Sequence, residues 1–268
     1  MIESDMAQPA AQTGDIKAPI RVLLNPDTSS RITLIGTVHA AQPGYYQALG
    51  EIIDGIADQG GRIYAEQVTA PTPEQLASAP ETLRFGADVI ARMLADGQQQ
   101  AKDIGLTLQK EALPVRDGWE VHDLDMLAVA AAYGEDELRR MDGELKQAQY
   151  MFNNFTPDLQ RALLFQAVST ELDVATGVAS AELLFPGINL QVATQREQAA
   201  LTALDTRLSY TPDAHVALLW GAGHVPAFTK ALAERGYKRD DEQWITAIHA
   251  EFTTPAPAAQ PSASTEGN

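Results

Sequence analysis

The chain has 268 residues, 45% of them hydrophobic, and a formal net charge of -17. That is enough apolar material for one sizeable core, and so acidic a surface repels phosphate backbones and anionic membranes, which argues against nucleic acid and lipid as partners. There is no cysteine, so disulfides and thiolate metal sites are excluded and any metal must be held by His, Asp or Glu.

The two ends differ from the middle. Residues 1–17 carry little apolar periodicity, and residues 254–268 are rich in Pro, Ala and Ser. Both read as disordered tails, leaving 18–253 as a single domain. The first twenty residues have no basic segment followed by an apolar one, as a secretory signal requires. No stretch approaches a membrane span. A cytoplasmic protein is the expectation.

In chain order, Ile20 to Leu24 and Arg31 to Val38 are β-branched runs across a polar turn, which predicts a strand pair or hairpin. Tyr45 to Ile56 places Ala48, Leu49, Ile52, Ile53 and Ile56 at helical spacing, and Gly60-Gly61 ends that helix. Arg62 to Val68 is the next strand. The unit 32–68 therefore predicts a βαβ crossover with a parallel pair. Residues 73–110 look helical. Trp119 to Val121 suggests a short strand, with Asp123 capping a helix through Leu124–Tyr133. Glu135 to Met151 and Pro157 to Leu172 continue the helical pattern until Phe185-Pro186-Gly187 breaks it. Gln195 to Leu208 is an amphipathic helix, and Ala214 to Gly221 is nearly continuous apolar, as a strand buried on both faces should be. Phe228 to Arg235 is a helix closed by Gly236, and Trp244 to Phe252 a last strand at a sheet edge. The fold class is α/β, with a mainly parallel central sheet and a helical insertion at about 73–185, suited to a lid or a dimer interface.

Two strands end alike. Gly36-Thr37-Val38-His39 closes one and Gly221-Ala222-Gly223-His224 the other. In open α/β sheets ligands bind outside the carboxyl ends of strands. Gly36, Gly221 and Gly223 would let the backbone turn tightly and leave room for a ligand. Glu66 follows a third apolar run, and a carboxylate there must reach solvent or find a partner. His39, Glu66 and His224 together match a three-ligand catalytic metal site with one position open for water. Mn, Co and Zn all suit such a set. Arg196 is a candidate for holding an oxyanion or a substrate carboxylate. His122 offers a further ligand or base, but Asp123 beside it is already explained as a cap. His215 reads as a core residue and His249 as an edge-strand residue. Arg116 and Trp119 have nothing specific about them. No Gly-x-Ser-x-Gly, Walker A or dinucleotide fingerprint occurs.

These motifs carry a resemblance. The segments ITLIGTVHAAQPGYYQALGEI, RIYAEQV, TQREQAALTAL and HVALLWGAGHVPAFTKALAERGY resemble the TraB/PrgY/GumN group, related to the Tiki metalloproteases. The family pattern has two Gly-x-x-His motifs, a glutamate after the second strand and an arginine on the helix before the last motif. It maps to His39, His224, Glu66 and Arg196. The chain departs where the family arginine is followed by Asn, since Glu197 stands there, and where Val225-Pro226-Ala227 follows the last motif. The resemblance implies a metal-dependent hydrolase acting on peptides. The alternatives are a non-catalytic module that binds a peptide or small ligand in the same pocket, and metal-free hydrolysis with His39 or Glu66 as base.

Overall fold

A computed structural model describes residues 15–249 except 153, 164 and 167–189. The predicted tails at 1–17 and 254–268 fall almost wholly outside the described residues, as do the break at Phe185-Pro186-Gly187 and the end of the Pro157 helix.

The chain is a mixed α/β structure around a six-stranded sheet. Its strands are β1 (Ile16–Leu24), β2 (Arg31–Thr37), β4 (Arg62–Ala65), β6 (Glu120–Val121), β7 (His215–Gly221) and β8 (Lys238–Ile248), in the order β6-β4-β7-β2-β1-β8. Strands β6, β4, β7 and β2 pair in parallel, and β1 is antiparallel to both β2 and β8. A small second ladder joins β3 (Ala40–Ala41) to β5 (Thr107–Leu108).

The hairpin of β1 and β2 is as expected. Strands β2 and β4 are parallel but not adjacent, because β7 lies between them and pairs with each. Local periodicity predicts a crossover; it cannot say that a strand from 150 residues later will fill the gap.

Helices flank both faces of the sheet. They include α1 (Pro43–Asp58), α3 (Glu81–Asp103), α5 (Met126–Tyr133), α6 (Glu135–Phe152), α7 (Leu190–Tyr210) and α8 (Val225–Glu234), with short α2 (Pro73–Ser78) and α4 (Gln109–Ala112) between. Strand alternation divides the core. Ile35, Ile63, Ala217 and Leu219 pack with Leu49 and Ile53 of α1. Leu34, Val216, Leu218 and Trp220 face α7 and α8 with Leu204, Phe228 and Leu232. Burial on both faces explains why β7 is apolar from Val216 onward. A third cluster joins α3, α5 and α6 through Ala87, Ile90, Val129 and Leu138.

Three local details depart from expectation. The last strand begins at Lys238 rather than Trp244, because an outer strand that exposes both faces carries no apolar alternation to read. Strand β4 stops at Ala65, three residues early. The cap of α5 is Asp125, whose carboxylate accepts the Ala128 N–H at 2.8 Å, and not Asp123. Asp125→Ala should lower the unfolding free energy by about 1 kcal/mol, a fall in melting temperature of about 2–4 °C by calorimetry. An unchanged melting temperature would refute that role.

Candidate functional site

The carboxyl ends of β2, β4, β6 and β7 open on the same side of the sheet, since these four strands run parallel. After β2 the chain is pinned from below. The Tyr45 and Tyr46 hydroxyls of α1 donate to the carbonyls of Gly36 (3.1 Å) and Val38 (2.9 Å). The His39 carbonyl accepts the Gln109 N–H at 2.9 Å. The backbone under His39 is thus fixed while its side chain stands exposed at the rim. Gly36 is used for packing: a Cβ there would meet the Pro19 carbonyl oxygen at 3.0 Å and Val225 at 3.1 Å. The close approach expected of a ligand is made instead by these neighbours.

Glu66 extends the ladder one residue past β4, its N–H bonded to the Leu219 carbonyl at 2.9 Å. That register sets its carboxylate against the turn after β7. One oxygen accepts the Gly221 N–H and the other accepts Arg196 Nη2 at 2.6 Å. Burial on its own would raise the Glu66 pKa. The charges of His39, Arg196 and His224 and the Gly221 N–H more than offset this and hold it at about 2. Glu66 is therefore a permanently ionised carboxylate at neutral pH, and a weak base.

Arg196 projects from α7 and lies 5.5 Å over the Trp220 ring. Its Nε and Nη2 also fork onto Asp123, at 2.9 and 2.6 Å, and the Asp123 side chain is 0% exposed. Burial opposes its charge, but the two carboxylates outweigh burial and raise its pKa further.

His224 ends a single 3₁₀ turn, Ala222–His224, which carries Gly223 and leads into α8. Its ring meets Trp220 edge-on at 5.3 Å. Nδ1 bonds the Glu197 carboxylate at 2.8 Å, and Nε2 lies 3.9 Å from the Glu66 carboxylate. Burial pushes the imidazole pKa down, but Glu197 and Glu66 prevail over burial and over Arg196, so it is raised.

The site is thus a chain of buried charges running Glu197, His224, Glu66, Arg196, Asp123. Beneath it the Thr37 hydroxyl, paired in register with Gly221, is wholly buried and has no hydrogen-bond partner among the described residues. A groove of about 230 Å³ opens beside it between α7 and α8, lined by Glu197, Leu201, Ala227, Lys230 and Glu234 among others.

The remaining candidates lie elsewhere. His215 is at the amino end of β7, its Nε2 3.0 Å from the Thr33 hydroxyl. His249 is exposed near Asp15. His122 contacts Glu120 at 3.2 Å and the Tyr64 ring at 4.3 Å. Arg116 pairs with Asp54 and sits over Trp119. Two partners were not anticipated. Asp123 follows a strand as Glu66 does, a signal available in the sequence. Glu197 could be flagged only as a departure beside Arg196.

Glu66 and His224 are donors of a kind that could contribute to holding a divalent cation. Glu66 is ionised, and Glu197 on Nδ1 leaves Nε2 facing Glu66, the arrangement common to ligating imidazoles. Among the described residues, no group of three or more His, Asp or Glu side chains is arranged to hold a metal ion. The fit therefore rests on Glu66 and His224, with His39 available at the rim. Compared with family models, curated proteins and solved structures, the chain matches none. No helix among the described residues is long and apolar enough to cross a membrane.

Proposed function

We propose that this chain is a metal-dependent hydrolase acting on a peptide or other acyl substrate. A Mn, Co or Zn ion would be held by His39, Glu66 and His224. The observation that carries the reading is the pairing of an ionised Glu66 with a His224 whose Nδ1 is already engaged, leaving Nε2 3.9 Å from the carboxylate. When bound, a divalent cation would supply a water acidified toward a pKa of about 7.

The chain's own residues take the other roles. A carboxylate with a pKa of about 2 is poorly matched to general-base work near neutrality, so Glu66 serves as ligand and fixed charge. Arg196, held by its fork onto Asp123, offers a fixed cation to developing negative charge at a carbonyl oxygen. The groove between α7 and α8 would take the neighbouring part of the substrate. This reading keeps the TraB/PrgY/GumN resemblance, with residues 18–253 as one domain and 32–68 as its βαβ unit. The helices from about 73 to 185 would then be an insertion over the strand ends, or a homodimer face, and the setting cytoplasmic.

Calorimetric titration of Mn²⁺, Co²⁺ and Zn²⁺ into the wild type and His39→Ala tests the proposal. The wild type is expected to bind at least one ion, and His39→Ala to bind it at least about 10- to 100-fold more weakly, since that much is lost even with a group that only supports a ligand. Equal, weak binding by both would remove the metal from the account.

One observation favours a second reading. Arg196 and the Gly221 N–H already satisfy both oxygens of Glu66, so the pocket is charge-compensated as it stands. A non-catalytic binding module would look the same. Saturable binding of a peptide or small ligand, with no turnover of any peptide or ester, would establish it.

A further inference from the structure

The buried contact between Glu197 and His224 brings to the strand ends a residue, Glu197, that belongs to neither motif. It joins two elements far apart in sequence, since Glu197 lies on α7 and His224 on the turn after β7. Both side chains are largely buried, at 13% and 14% exposed, and the Nδ1 to carboxylate distance is 2.8 Å. No other hydrogen bond of the imidazole is seen among the described residues. Its remaining neighbours are the Glu66 carboxylate, 3.9 Å from Nε2 and beyond hydrogen-bond reach, the Arg196 charge, the edge of Trp220 at 5.3 Å and the tilted ring of Phe228 at 6.4 Å. These rings restrict where the imidazole lies without choosing which nitrogen carries the proton. Glu197 and Glu66 can both only accept, and they pull the proton toward opposite nitrogens. Glu197 at 2.8 Å is within hydrogen-bond reach of Nδ1 and Glu66 at 3.9 Å is not within reach of Nε2, so the Nδ1 contact makes that choice.

We propose that Glu197 is a positioning residue, which fixes His224 in the Nδ1–H form and so presents Nε2 to Glu66 and to whatever occupies the site. The inference deepens the hydrolase reading and rests on it only in naming the site as the working one. Glu197 also lines the groove between α7 and α8. The carboxylate that orients the imidazole is therefore shared with the wall a neighbouring part of the substrate would touch. Alternative orientations are disfavoured: a ring turned over would set a C–H against the carboxylate and leave it without this partner.

The test is ¹⁵N-histidine NMR on the full chain, with the His224 signals assigned by loss in His224→Ala. Spectra are taken at a pH high enough for the ring to be neutral. The wild type is expected to show a protonated Nδ1 with a strongly downfield proton and a bare Nε2. Glu197→Gln keeps an acceptor and should keep that form, with the Nδ1 proton shifted upfield. Glu197→Ala should release the ring toward the Nε2–H form that free imidazole side chains prefer. A merely structural contact would not separate Gln from Ala in this way. Should Glu197→Ala fail to fold, the Gln variant and the wild type suffice. An Nε2–H ring in the wild type, or an Nδ1–H ring indifferent to Glu197→Ala, would overturn the proposal. Titrating Mn²⁺ into the same samples keeps the two claims apart: a locked tautomer without Mn²⁺ binding sinks the metal alone.

Discussion

Arg196→Ala lowers the free energy of unfolding by about 3–5 kcal/mol, the cost of removing one partner from a buried ion network. Among the described residues, the guanidinium is the one side chain bonded to both of two buried carboxylates, Glu66 and Asp123. Asp123 is fully buried and Glu66 is 8% exposed. Deleting the cation leaves two negative charges in a low-dielectric space, together with the cavity of the lost side chain against Trp220. Arg196→Lys should fall between, since an ammonium keeps the charge but not the fork that reaches both carboxylates at once. Chemical denaturation reads the effect as a lower midpoint at constant slope. A loss under about 1 kcal/mol would place these charges in the weak class of solvent-exposed pairs and refute the buried network.

The second large effect is on acid stability. Glu66 has a folded pKa of about 2 against an ordinary 4.5. The gap of about 2.5 units is worth roughly 3 kcal/mol. The sign follows from the depressed value: the stabilisation is fully present above pH 4.5 and is lost as pH falls from there through 2. Wild type and Glu66→Gln should therefore differ by about 3 kcal/mol at neutral pH and converge near pH 2. Other carboxylates titrate in the same range, which is why the difference between the two proteins, and not the wild-type curve, is the measurement. A gap that stays constant across that range would mean Glu66 is not held ionised by its neighbours.

How much of this was legible beforehand follows from what each feature depends on. Strands β2 and β7 could be read because burial on both faces favours β-branched and apolar runs, Ile32 to Gly36 with a single Thr33 and Val216 to Gly221. Helix α1 could be read from its periodicity and from Gly60, which takes a positive φ of 80° where the chain leaves the helix. The start of β8 is not legible because Lys238 to Asp241 lie exposed on the outer strand, where no core imposes a pattern. The two-residue β6 is held by pairing with β4 more than by any property of Glu120 and Val121.

The same division holds in the site. His39, Glu66 and His224 were visible because each follows an apolar run, a local property. Asp123 was taken for a cap because an acidic residue before a helical pattern usually is one, yet Asp125 two residues on does that work. Its true partner, Arg196, is 73 residues away, and only the adjacency of β6, β4 and β7 brings α7 over both carboxylates. The bond from Glu197 to His224 likewise needs α7 packed beside the turn after β7.

Diffraction from crystals soaked in Zn²⁺, with anomalous data at the metal edge, bears most directly on whether these strand ends form a cation-dependent centre. The account predicts one ion about 2.0–2.2 Å from both a Glu66 oxygen and His224 Nε2, with Arg196 drawn off the oxygen it now holds and His39 turned inward from the rim. An ion bound only elsewhere on this acidic surface, with the Arg196–Glu66 bond intact, would contradict it.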